Sequence, residues 1–132
     1  MRALSTHIKG LMIVSGVLTC TMLYAALFPA EAVQSTFGEA AAGPAAELVV
    51  RNWGVLIFLM GALLLRGAFD ASVRNVALLA AGTSKAAFIA LVLTSGPEFL
   101  AHGAAVPVVV DGMMVALFAA YLVSQRRGIL KA

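Results

Sequence analysis

Three charged residues interrupt the apolar stretches of this chain: Arg51, Lys85 and Asp111, with Asn52 beside the first of them. An ionised side chain in an apolar medium costs about 2.5–3.5 kcal/mol on insertion scales, so such groups pair with one another or serve a ligand. An ammonium, a guanidinium, a carboxamide and a carboxylate together recognise small polar or anionic solutes. Lys85 and Asp111 are the natural pair, and such a pair also serves simply to join two helices. Glu47 stands four residues before Arg51, a spacing that predicts an ion pair on one helical face. Arg51 also has the reach to snorkel to headgroups. The expected ligand-binding residues are Arg51, Asn52, Lys85 and Asp111, which by counting along their helices fall in the outer half of the bundle and would line a pocket open to the outer face. Thr21 and Tyr24 are candidates to join them from the first apolar stretch, and His102 to cap them from a loop. Two cations against one buried acid would leave excess positive charge for a small anion or a lipid phosphate to balance.

Signatures of catalysis are missing from the sequence. Ser84 precedes Lys85 directly, and adjacent residues on a helix do not face each other, which argues against a Ser–Lys dyad. There is no Gly-rich phosphate loop. Cys20 is the only cysteine, which excludes a disulfide within one chain and any Cys/His metal cluster. It reads as a small buried hydrophobe, and Met113 and Met114 as packing residues. No catalytic residue, metal site or cofactor is expected, and the reading leans away from an enzyme.

The elements that must position these residues follow from composition. The chain has 132 residues, of which 62% are hydrophobic and 11% charged. Soluble domains carry about 25% charged residues, and a soluble core of this size could not hide so much apolar surface. The formal charge of +3 is too small to argue for nucleic acid. Apolar stretches at about 10–28, 48–65, 73–94 and 106–123 are each long enough, at 1.5 Å per residue, to cross a hydrocarbon core of roughly 30 Å. Backbone in lipid must satisfy its own hydrogen bonds, so the expectation is one all-α domain, an integral membrane bundle of four helices. The first stretch follows Arg2 and Lys9 and precedes "AEA" at Ala30–Ala32, the layout of a signal peptide, but its apolar run exceeds the roughly 7–15 residues usual there. It reads as a retained helix.

Basic residues set the orientation. Arg2 and Lys9 precede the first helix, Arg66 and Arg74 join the second to the third, and Arg126, Arg127 and Lys131 follow the fourth. The other two links, Pro29 to Glu47 and Ser95 to Ala105, contain only acidic charges: Glu31, Glu39, Glu47 and Glu98. Both termini are therefore expected in the cytoplasm. The alanine-rich link after the first helix suits a short surface helix with Val33 and Phe37 toward lipid. Tyr24 and Trp53 are expected near the outer interface and Tyr121 near the inner one. Gly54 and Gly61 on the second helix suggest close helix packing. The two helical hairpins share no alignable repeat.

"ALFPAEAVQSTFG", "LVVRNWGVLIFLMGALLL" and the late aspartate of "VVVDGMMVALFAAYLV" give the chain a layout, from about Leu11 to Val123, that resembles small bacterial four-helix membrane proteins of the DoxX-like kind. That resemblance implies a multi-pass protein of the bacterial inner (plasma) membrane. Some such relatives are partners of quinone-linked redox enzymes. Two functions follow as expectations: a membrane protein that binds or translocates a small polar or anionic solute, or an accessory or assembly subunit of a larger membrane complex. Membrane lipid is the expected surrounding partner, and a homo-oligomer is compatible with either. Reporter fusions test the topology: a fusion at Ala132 is expected to report cytoplasm and one within Gly38–Gly43 periplasm, whereas a periplasmic signal at Ala132 overturns the arrangement.

Overall fold

The structure is a computed structural model describing residues 2–131, with side chains described from 3 to 128. The side chains of Arg2 and Lys131, counted above among the flanking basic groups, lie outside that range, as does Ala132. The described elements are all helical: α1 (Arg2–Cys20), α2 (Leu23–Leu27), α3 (Pro29–Phe37), α4 (Gly43–Phe69), α5 (Ala71–Ser95), a 3-10 turn (Pro97–Ala101) and α6 (Ala105–Lys131). Four spans, one of them α1 and α2 taken together, are long and apolar enough to cross a membrane. The second, third and fourth apolar stretches read from the sequence each extend into a longer helix, because the flanking Ala, Arg and Gln residues are good helix formers.

The first span is not one continuous helix. Thr19 Oγ1 donates to the Ser15 carbonyl at 2.7 Å, and Thr21 Oγ1 donates to the Leu18 carbonyl. Such back-bonding competes with the helical ladder. The backbone tightens here, with Thr21 N–H on Leu18 O and Met22 N–H on Thr19 O, both at 3.2 Å. Pro29, which has no N–H to give, then separates α2 from α3.

A single residue, Asp70, turns α4 into α5. Its carboxylate accepts from Ser72 N at 3.0 Å, Ser72 Oγ at 2.6 Å and Arg66 Nη2 at 2.8 Å. The Ser72 bonds, with help from Arg66, hold its carboxyl below the ordinary carboxylate range. Arg74 donates to the Gly67 and Ala68 carbonyls at 3.0 and 3.3 Å, satisfying the end of α4.

Helices α1, α4, α5 and α6 pack in sequence, α1 against α4, α4 against α5, α5 against α6, while α1 and α6 touch only sparsely. One end of the bundle is filled. Ile8, Met12, Leu64, Ala68, Ala77, Leu78, Phe118 and Tyr121 form its buried core. Tyr121 belongs to this core, 6% exposed. This filled end contains the start of α1, the α4–α5 turn and the close of α6, and it carries Lys9, whose ammonium lies 4.6 Å from the Phe69 ring centroid. We call it the basic end. The opposite end carries Glu31, Glu39 and Glu98, all exposed, and is called the acidic end.

The α1–α4 seam is closed by glycine. A Cβ added at Gly61 would lie 2.7 Å from Cys20 N, and one at Gly54 would lie 2.6 Å from Ala26 N. Both contacts are with backbone, so the helices would have to separate. Gly61→Ala is expected to destabilise the protein by about 1–3 kcal/mol through overpacking. Gly82→Ala, whose added Cβ would meet only Phe118 at an ordinary 3.6 Å, is expected to be neutral or mildly stabilising. Unfolding in detergent followed by circular dichroism checks the difference, and equal losses for the two variants would contradict a glycine-closed seam.

Candidate functional site

The acidic half of the bundle is hollow. A cavity of about 380 Å³ lies among the helices, and each contributes a strip at helical spacing. Trp53, Ile57 and Met60 come from α4, Ala81, Ser84, Lys85 and Phe88 from α5, and Val106, Pro107, Val110, Asp111 and Met114 from α6. Stepping three or four residues from Lys85 gives Ala81 and Phe88, and from Asp111 gives Pro107 and Met114, so the two charges mark the inward faces of their helices. The broken region of α1 supplies Leu18, Thr19, Thr21 and Met22. The floor is a polar stitch, Ser15 Oγ donating to Met114 Sδ at 2.9 Å, with the basic-end core beneath it.

Lys85 Nζ donates to Asp111 Oδ1 at 2.6 Å, an ion pair between α5 and α6. The side chains are 9% and 17% exposed. Lys85 is ten residues from the end of α5 and Asp111 six from the start of α6, placing them about 15 and 9 Å inside their helices. Lysine's long stem closes that difference. An ammonium has three donor protons and a carboxylate two acceptor oxygens. The single bond between them leaves two protons of Nζ and the whole of Asp111 Oδ2 without a protein partner among the described residues, and neither group is sealed from the cavity.

Arg51 and Asn52, expected in the same pocket, are not on its wall; both are exposed on α4. Arg51 does not pair with Glu47. It donates from Nη1 to the Ala26 carbonyl at 2.6 Å. The carbonyls at the end of α2 lose their ladder partners where Pro29 interrupts the chain, and a cation there also meets the negative end of the helix dipole. The excess positive charge expected of the site therefore disappears: Lys85 and Asp111 balance each other inside the cavity, and the argument for an anion falls with it. Of the other candidates, Thr21 is on the wall, whereas Tyr24 is exposed and packs on Phe28 with ring centroids 5.5 Å apart. His102 lies against Gly38, whose left-handed φ of 73° ends α3 and leaves room for the ring. Cys20 is half-buried and its thiol points to the Phe58 carbonyl at 3.7 Å.

Aromatic rings roof the cavity. Trp53 stacks near Phe88 at 6.5 Å and near Phe37 at 6.1 Å, and Phe37 meets Phe99 edge-on at 5.1 Å. Phe37 thus turns into the protein rather than toward lipid. Thr36 and Gly103, also on the wall, belong to segments joined by the Ala104 N–H on the Thr36 carbonyl at 2.8 Å. Trp53 and Phe88 were missed as site residues because their roles depend on packing between helices; the helical step from Lys85 to Phe88 was the one local signal.

No family model, curated protein or solved structure matches the chain.

Separating the pair gives a direct measure of its contact. Lys85→Met or Asp111→Asn alone is expected to cost about 3–5 kcal/mol, because each leaves a stranded charge in a low-dielectric site. The double variant is expected to lose less than the sum of the two. Additive losses in a detergent unfolding cycle would contradict the pairing.

Proposed function

We propose that the chain is a multi-pass protein of the bacterial inner membrane, both termini in the cytoplasm, that binds a small and mostly apolar solute through one polar group at Lys85 and Asp111. The observation that carries this reading is the unspent hydrogen-bonding capacity of the pair where it faces a cavity of about 380 Å³. Ligand pockets typically fall in the range of about 300–1,000 Å³, apolar with a few convergent polar groups. A dry cavity of roughly 150 Å³ is enough for benzene, so this one suits a body of one to two rings. Exposed large apolar residues along the helices, such as Leu48, Val76, Leu91 and Val109, support the membrane placement, as does the segregation of basic and acidic residues to opposite ends. The layout shared with DoxX-like proteins agrees with it.

The pair is neutral overall, which favours an uncharged ligand. A hydroxyl or primary amide can accept from Lys85 Nζ and donate to Asp111 Oδ2 at once, while the rest of the molecule packs on Trp53 and Phe88. The packed core at the basic end closes the cavity on that side, so the reading is binding rather than a continuous conducting path.

Trp53 is the only tryptophan and stands on the cavity wall, so its fluorescence reports occupancy. In lipid vesicles, para-bromobenzamide, a neutral heavy-atom quencher, is expected to quench Trp53 saturably in the wild type. Lys85→Met and Asp111→Asn are each expected to weaken that binding about tenfold or more, the loss of one charged hydrogen bond. Para-bromobenzoate, an anion of the same size, is expected to give no saturable component. Saturable binding of the anion alone, or quenching equal in all three proteins, would overturn the reading. Absence of saturable quenching together with stoichiometric co-purification of a larger membrane protein would favour an accessory subunit instead.

A further inference from the structure

We infer that the cavity is entered sideways, through the seam between α1 and α6, by uncharged molecules already dissolved in the bilayer. The inference rests on the binding reading above and adds a route and a selection rule to it.

The other ways in are more tightly packed, and α4 lies against α5, and α5 against α6, far more extensively than α1 against α6. Toward the basic end, the buried core and the Ser15–Met114 stitch form the floor. Toward the acidic end, the segment before α6 is pressed onto the end of α3: a Cβ on Gly103 would collide with the Ser35 carbonyl, and Ala104 N–H is bonded to Thr36 O. The rings of Phe37, Phe99 and Trp53 pack beside that joint. The α1–α4 seam is shut by Gly54 and Gly61, where no side chain fits.

The α1–α6 seam is different in kind. These helices touch only sparsely, and their one polar link among the described residues is the Ser15–Met114 stitch at the cavity floor. Beyond that link, Leu18 from α1 and Val106 from α6 both line the cavity, yet they are 48% and 68% exposed. Thr21, Ser84 and Gly103 are also both wall and surface, but among the described residues only α1 and α6 each contribute an exposed large apolar residue to the wall. The α1 backbone is broken at this level, at Thr21–Met22, so this wall lacks the continuous hydrogen-bond ladder of its neighbours. The rim is apolar, which repels ions and hydrated solutes and admits molecules that partition into hydrocarbon. Selection is thus divided: the rim demands lipid solubility, and the Lys85–Asp111 pair demands a donor and an acceptor on the same small group.

The experiment is stopped-flow quenching of Trp53 by para-bromobenzamide in vesicles. The double variant Leu18→Phe/Val106→Phe narrows the rim without touching Lys85 or Asp111. It is expected to slow the onset of quenching roughly tenfold while retaining saturable binding at equilibrium. Unchanged onset in a variant that still binds would overturn the side entry. A second measurement needs no variant: for the wild type, an N-unsubstituted bromobenzamide bearing a longer alkyl chain is expected to quench faster at equal aqueous concentration, because more of it resides in the bilayer. Rates that follow the aqueous concentration alone would overturn the inference. Failure of the binding reading itself would look different, as an absence of saturable quenching in the wild type.

Discussion

An ammonium and a carboxylate held 2.6 Å apart, deep between two helices, constrain everything around them. Each charge is tolerable there only because of the other, so α5 and α6 must keep the register and spacing that let Lys85 reach Asp111. Ala81 and Phe88 follow on one side of that contact, and Pro107 and Met114 on the other, as helical neighbours of the two charges. The pair also explains why the surrounding space is not filled by side chains as the basic end is. Leucine or phenylalanine packed over Nζ and Oδ2 would cover hydrogen-bonding capacity that the pair does not use internally, at a cost for each unsatisfied group.

The bundle therefore has two unlike halves and two unlike seams. At the basic end, Met12, Leu64, Leu78 and Phe118 interlock in a core that resembles that of any packed helical protein. Toward the acidic end the helices surround a cavity. Along α1–α4, glycines bring backbones into contact and fix the helices rigidly. Along α1–α6, the helices touch only sparsely, and α1 ends where Thr19 and Thr21 bond back to their own helix. Arg51 belongs to the rigid side: by holding the Ala26 carbonyl it ties the end of α2 to α4, so the break in α1 does not loosen the roof.

The apolar helices and the Lys85–Asp111 contact were legible in the sequence, because hydropathy and the cost of isolated charge in an apolar environment are local properties that need no knowledge of packing. Gly54 and Gly61 were legible for the same reason: small residues at helical spacing permit close approach. What escaped depends on partners distant in sequence. Glu47 was the nearest acid to Arg51, but a proline on another segment had released a carbonyl that competed for the guanidinium. Residue type alone could not show that Trp53 forms a wall of the cavity or that Tyr121 joins the core, because neighbouring helices supply those surroundings. The break in α1 was signalled by Thr19 and Thr21, although threonine in an apolar helix does not usually interrupt it.

Infrared difference spectroscopy on the vesicle-embedded protein tests most directly whether the Lys85–Asp111 pair meets a ligand. A molecule that hydrogen-bonds Asp111 Oδ2 changes the stretching frequency of that carboxylate, and Asp111 is the acid that faces the cavity. Addition of para-bromobenzamide should shift a carboxylate band in the wild type, and the same band should be absent from the difference spectrum of Asp111→Asn. A wild-type carboxylate spectrum that stays unchanged at saturating ligand, or a difference spectrum identical in the two proteins, would contradict the claim that this pair is a binding site.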